Sequence, residues 1–306
     1  METRRVLRMT LATRDQSAIE LESHVSAFMQ YIRQMRLDLS RQWILVYEGR
    51  IISACTCIES PGRTAMLFLP ESAQHPATLT QTADMVRHIL AEEAARDIRL
   101  AQCLLNPTDT GLRAGLSSIG FSETAELIYM ECPTAGALAR SAAMTSPPQA
   151  EDGWITYSKD THAAFADLIL ETYRNSLDCP GLGGLRDIED IISGHKSAGV
   201  FKPHRWMIYH RGGVPAGCIL LGESPLRPSL EVVYMGVHPA ARGRGLGRTL
   251  LRKIIELAQA EGFERVTLAV DARNAPAIAI YRGFGFEICN RREAMICPLR
   301  ANGPAV

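Results

Sequence analysis

The chain has 306 residues, enough for two domains of ordinary size, and 46% of them are hydrophobic, which fills cores and argues against extended disorder. Its 33 basic and 33 acidic side chains cancel, so no net field favours a nucleic acid or an anionic membrane as partner. No apolar run approaches the ~20 residues that span a bilayer and no secretory pattern follows Met1, so a cytoplasmic protein with no membrane partner is expected.

In chain order, the pattern of apolar residues predicts a strand near Val6–Leu11, a helix over Ser17–Arg36, and strands Trp43–Tyr47 and Ile51–Ile58 about a turn from Glu48 to Arg50. Then come a strand Ala65–Leu69, a helix Thr82–Ala95, a strand Ile98–Leu105, a helix Thr110–Ser118 and a closing strand Leu127–Cys132. Cys55 and Cys57 stand two apart on a strand, so both thiols face one side and pack in a core. None of the cysteine pairs has zinc-ligand spacing, and no metal is expected. Residues 133–152 are rich in Ala, Ser and Pro and read as a linker between a first domain, 1–132, and a second, 153–300.

The second half opens with a strand Trp154–Tyr157 and helices Asp160–Arg174 and Leu185–Ser197. Strands Arg205–His210 and Val214–Leu221 form a hairpin about Arg211, Gly212 and Gly213. A strand Leu230–Val237 precedes a helix Gly245–Gln259, whose Leu246, Leu250, Ile254 and Leu257 make one apolar stripe. A strand Arg265–Val270, a short helix Pro276–Tyr281 and a closing strand Glu287–Cys297 complete the order. The halves echo each other: Gly120 and Phe121 sit after one short helix as Gly285 and Phe286 sit after the other, and each final strand ends in Cys-Pro. An internal duplication of one mixed-sheet α/β unit is expected.

The chemistry concentrates in the run EVVYMGVHPAARGRGLGR from Glu231 to Arg248. A strand ends, glycines alternate with arginines, and an amphipathic helix begins. Glycine lets backbone approach a ligand closely, and the N–H groups of a helix start favour an anion. Arg242, Arg244 and Arg248 add positive charge, so a phosphate or pyrophosphate suits the loop. The dinucleotide fingerprint needs glycine where Arg248 stands, and a nucleotide-triphosphate loop needs lysine there and glycine at Arg242. What remains is R-x-x-G-x-G, made by Arg242, Gly245 and Gly247, and it enfolds Gly243, Arg244 and Leu246.

This loop, followed by Asn274, Ala275, Tyr281, Gly285 and Phe286 in order, resembles the GCN5-related N-acetyltransferase superfamily, in motif detail from Leu230 to Phe286 and in element order from Trp154 to Pro298. The resemblance implies two tandem domains, each a splayed mixed sheet flanked by helices. It implies that the arm of acetyl-CoA lies along Met235, Gly236 and Val237, with its phosphates on Arg242 to Arg248 and further contacts from Asn274 and Tyr281. The expected activity is direct acetyl transfer to a small-molecule or protein amine, by a monomer or homodimer. A non-catalytic acyl-CoA sensor and transfer to a hydroxyl acceptor are the alternatives.

By the same resemblance Glu231 aligns with a general base and Tyr281 with a proton donor, and Glu231 is otherwise a surface glutamate, Tyr281 a packed aromatic. Asn274 either reaches the cofactor or caps the short helix. His238 reads as a structural loop residue. The Pro- and Gly-rich stretch from Asn175 to Gly184 either lines the acceptor site, with Asp178 drawing a cation, or simply connects two helices. In the first half the stretch after Leu69, from Pro70 to Pro76, has no glycine and no arginine, and the counterpart of Tyr281 is Leu116, so this half is expected to be a degenerate copy without a cofactor loop.

Overall fold

The structure, a computed structural model, describes residues 2–13, 16–71, 76–141 and 152–299. It divides into two compact units, one formed by the chain up to Glu126 with the segment from Arg292 on, the other by Leu127–Arg291. These are not the sequence halves. The final strand of each half passes its end to the other unit.

In the first unit the sheet runs β1 (Gln42–Tyr47), β2 (Arg50–Ser60), β3 (Thr64–Phe68), β4 (Leu100–Leu105), and then β11 (Glu287–Pro298), whose residues 293–298 pair antiparallel with β4. Met295 and Cys297 of β11 lie in a core with Cys55, Cys57, Leu67, Ile89 of α3 (Pro76–Ala95) and Leu116 of α4 (Thr110–Ser117). The strand expected at Val6–Leu11 is instead part of helix α1, Glu2–Leu11. Val6, Leu7, Thr10 and Leu11 are the buried positions, a spacing that closes on one helical face and not on one strand face. Arg4 donates to Ser26, and Arg8 pairs with Glu22, on the neighbouring α2 (Ala18–Met35).

The second unit has strand order β6 (Gly153–Thr156), β7 (Val200–Arg211), β8 (Val214–Glu223), β9 (Ser229–Val237), β10 (Arg265–Asp271), β5 (Ser122–Pro133). Residues 127–133 of β5 pair antiparallel with β10, and Ile128, Met130 and Cys132 enter this unit's core. The helices are α5 (Ala137–Ser141), α6 (His162–Tyr173), α7 (Ile188–Ser197), α8 (Leu246–Ala260) and α9 (Ala275–Gly283). Leu246, Leu250, Leu251, Ile254, Ile255 and Ala258 of α8 are buried on the sheet, each large side chain worth about 1.5–3 kcal/mol. The expected linker therefore starts with the end of β5 and a short helix, and its residues 142–151 lie outside the described residues.

The duplication is visible hydrogen bond by hydrogen bond. Phe121 N–H donates to Leu116 O, and Phe286 N–H donates to Tyr281 O; Leu299 N–H donates to Arg99 O, and Thr134 N–H to Glu264 O. In each unit two neighbouring strands pair in parallel, β3 with β4 and β9 with β10.

Candidate functional site

The parallel strands β9 and β10 pair from Ser229–Arg265 to Val232–Leu268 and then part, although β9 continues to Val237 and β10 to Asp271. On its other side β9 stays paired with β8 as far as Val237, with a bulge that leaves Val233 unmatched between Val232 and Tyr234. The result is a cleft whose β9 wall is the main chain of residues 233–237. Met235 and Val237 are half-buried there, and the Val237 carbonyl also accepts Arg242 Nε at 3.1 Å. Gly236 faces α6: a Cβ on it would meet Thr172 Oγ1 at 2.7 Å and Tyr234 Cε1 at 2.8 Å. Its smallness serves the packing of α6.

The loop after β9 leads to the N-terminus of α8. His238 caps a one-turn 3-10 helix (Pro239–Ala241), its Nδ1 accepting the Ala240 N–H at 3.2 Å, a structural role as expected. Gly243 and Gly245 have φ of 73° and 79°, in the left-handed region that favours glycine, and a Cβ on either would meet nothing within 4 Å. Gly245 is the N-cap of α8 and no side chain caps the helix, so the N–H groups of Leu246 and Gly247 head an open first turn. The side chain of Leu246 is buried in the core, and Gly247 lies beside Ile280. Arg244 is exposed; Arg248 is half-buried, with its Nε buried and bonded to nothing among the described residues. Glycines with open space above them, an uncapped helix and an orphaned guanidinium nitrogen fit a phosphate or pyrophosphate. Arg242 does something else: it donates to Val237 O, Asn175 O and Thr172 O, tying the loop to the C-terminal end of α6.

Tyr281 of α9 is buried against Phe286, 5.7 Å between ring centres, and burial, with Asp178 adding to it, raises its phenol well above the usual range. Asn274 caps α9, accepting the Ala277 N–H at 3.3 Å, and also hydrogen-bonds Asp178. Glu231 sits opposite Thr267, one rung before the strands part. Solvent reaches much of its side chain, yet protein surrounds it on most sides, as on the wall of an open cleft. That surrounding raises its carboxyl above the ordinary value.

Beside the β9 bulge lies a cavity of about 170 Å³, lined among others by Val233, Tyr234, Tyr173, His195, Arg186 and Asp178. The loop from Asn175 to Gly184 forms one wall and is clamped to β10: Cys179 N–H donates to Asp271 Oδ2 at 3.1 Å, and Asp271 N–H returns to Asp178 Oδ1 at 2.9 Å. Burial, and then the Asp271 charge, raise the Asp178 carboxyl. Tyr234 hydrogen-bonds Thr172 at 2.7 Å and stacks on His195, whose imidazole is pushed down to about 3 by burial and then by Arg186. Sequence reasoning found Asp178 but missed Tyr173, Arg186, His195 and Tyr234. The bulge at Val233 that separates Tyr234 from the Glu231 alternation leaves no mark in the sequence.

Residues 171–286 match the acetyltransferase (GNAT) family. A mycothiol acetyltransferase of Saccharomonospora viridis is 48% identical over 61 residues, 20% of this chain and 20% of that protein. One of Beutenbergia cavernae is 35% identical over 81 residues, 26% of this chain and 27% of that protein. An uncharacterised N-acetyltransferase of Bacillus subtilis, YdgE, is 34% identical over 95 residues, 30% of this chain and 60% of that protein. The mycothiol acetyltransferase matches therefore span only about a fifth to a quarter of those proteins. Among solved structures, a GCN5-related N-acetyltransferase from Sphaerobacter thermophilus superposes over 99% of this chain and 92% of its own, with a TM-score of 0.60 at 15% identity. One from Kribbella flavida covers 89% of this chain and 93% of its own, with a TM-score of 0.52 at 16% identity, and at such identities both speak to the fold alone.

Proposed function

Because residues 171–286 match the acetyltransferase (GNAT) family, we propose that the second unit transfers an acetyl group from acetyl-CoA directly to an amine. The observation that carries this reading is the parting of β9 and β10 after Val232 and Leu268, at the end of the sheet from which the glycine loop leads into α8. When bound, acetyl-CoA supplies the acetyl group as a thioester, and the exchange leaves an amide and a free thiol. The open turn from Gly243 to Gly247 holds the phosphates, with Arg248 Nε and the exposed Arg244 supplying charge. Main-chain groups of Met235 and Val237 orient the arm in the cleft.

Glu231 takes the proton that the attacking ammonium must lose, a task for which a raised carboxyl is better matched than an ordinary one. Tyr281, held protonated by burial, gives its hydroxyl proton to the departing sulfur and recovers, through solvent, the second proton that the nitrogen sheds as the amide forms. Asp178 lines the cavity beside β9 and gives it a carboxylate that can draw a cationic acceptor toward the cleft where Glu231 stands. No helix among the described residues is long and apolar enough to cross a membrane.

Steady-state assay of Glu231→Gln and Tyr281→Phe tests these roles. Loss of either acid–base group is expected to slow turnover ~10²-fold or more with acetyl-CoA binding retained. A loss smaller than tenfold in both variants overturns the mechanism, and Asp178→Asn alone slowing the chemistry would transfer the base role to Asp178.

A further inference from the structure

Arg186 is the unexplained charge of the second unit. It lines the cavity beside β9, and its Nε is buried and hydrogen-bonded to nothing among the described residues. It forms no ion pair there either. A guanidinium carries its charge at every physiological pH, and a buried donor without an acceptor costs stability unless something else fills the place. Tyr173 and His195, which line the cavity with it and feel its charge, do not neutralise it; the Arg186 charge instead opposes protonation of His195. Asp178, of opposite sign, lines the same cavity without pairing with Arg186, because its carboxylate is held by the Asp271 N–H and by Asn274. The rings of Tyr173 and Tyr234 line the same cavity. The space, about 170 Å³, is well below the ~300–1,000 Å³ typical of drug-sized ligands.

A small cavity lined by both an unpaired cation and a carboxylate suits a molecule that carries both charges. Resting on the acetyl-transfer reading above, we propose that the acceptor is a small amino acid: Arg186 grips its carboxylate in the fork geometry that guanidinium and carboxylate share, and Asp178 draws its ammonium toward the cleft. Asp178 lies near enough to Tyr281 to raise its phenol, which puts the ammonium end of the cavity on the side of the proposed proton donor. A neutral His195 is part of the device, since a second cation beside Arg186 would compete for the same anion.

The test compares acetyl-CoA-dependent acetylation of the common L-amino acids with that of their carboxamides and of the corresponding decarboxylated amines. The expected ratio of kcat/KM, acid over carboxamide, is about tenfold or more for the natural protein, the size of one charge-assisted contact. Arg186→Met is expected to bring the ratio close to one through KM, and Arg186→Lys to retain part of it. A ratio near one in the natural protein, or a ratio that survives Arg186→Met whatever the overall rate, overturns the proposal and leaves acetyl transfer standing. Should no amine of any kind be acetylated, the acetyl-transfer reading fails, and calorimetric titration with the N-acetyl amino acids decides the subsite by itself. Saturable binding that Arg186→Met abolishes, with an unchanged melting temperature, supports the carboxylate site; its absence overturns it.

Discussion

The ring of Tyr281 is buried, and its hydroxyl makes no hydrogen bond among the described residues and is not itself sealed from solvent, so its proton is both held and available. For Glu231 the raised carboxyl fixes a sign. As pH falls through that raised value the base is protonated, so kcat/KM is expected to fall on an acidic limb placed above the usual carboxylate range. A pH profile of Glu231→Gln should lack that limb; a limb that persists unchanged assigns it to another group. His195 gives a stability prediction. Its folded value, about 3, lies below the ordinary 6.5, so as pH drops below about 6.5 the unfolded chain takes up a proton that the folded chain refuses. Melting temperature should therefore decline from pH ~6.5 downward, less so in His195→Gln, and equal slopes in the two proteins contradict this. The loop itself was legible in the residues: the motif spacing singled out Arg242, Gly245 and Gly247. What spacing could not show is that Arg242 turns back onto three carbonyl groups, since that depends on where α6 ends.

Among the elements, α8 and the cleft wall depend on close packing. Leu250 is fully buried, and Leu250→Ala is expected to cost about 2–5 kcal/mol by denaturant titration. Gly236→Ala places a methyl group within 2.8 Å of Thr172 and Tyr234, a clash worth about 1–3 kcal/mol that also displaces the tyrosine of the cavity. A Gly236→Ala protein as stable as the natural one contradicts that view of the α6 contact. At Gly245 nothing stands above the backbone, so Gly245→Asp is expected to spare the fold more than Gly236→Ala does and to weaken coenzyme A binding at least tenfold through charge and φ. The order of strands and longer helices was readable from periodicity except at α1, where the apolar pattern suggested a strand and the buried spacing makes a helix, and at the short α5, which falls in the expected linker.

For the whole molecule, the consequence that periodicity could not reveal is the transfer of the last strands. Ile128, Met130 and Cys132 belong by sequence to the first half and by packing to the core of the second unit; Met295 and Cys297 do the reverse. Local pattern specifies that a strand exists and which face is apolar, but not which sheet it completes. A fragment ending at Pro133 therefore lacks the strand that closes its own sheet on β4, and one beginning at Asp152 lacks the strand that pairs with β10. Each fragment expressed alone is expected to be insoluble or partly unfolded, whereas fragments that add residues 287–299 to the first or 122–133 to the second regain cooperative melting; independent folding of residues 1–133 contradicts the assignment.

Acetyl transfer itself is tested most directly by incubating the full chain with acetyl-CoA and a panel of small amines, and following the thiol released and the acetylated product by mass spectrometry. An amide product that forms in step with free thiol, and that slows by ~10²-fold in Tyr281→Phe while coenzyme A binding is kept, is the predicted result. Binding of acetyl-CoA with no amine acetylated, or product formed as fast by Tyr281→Phe, would contradict it.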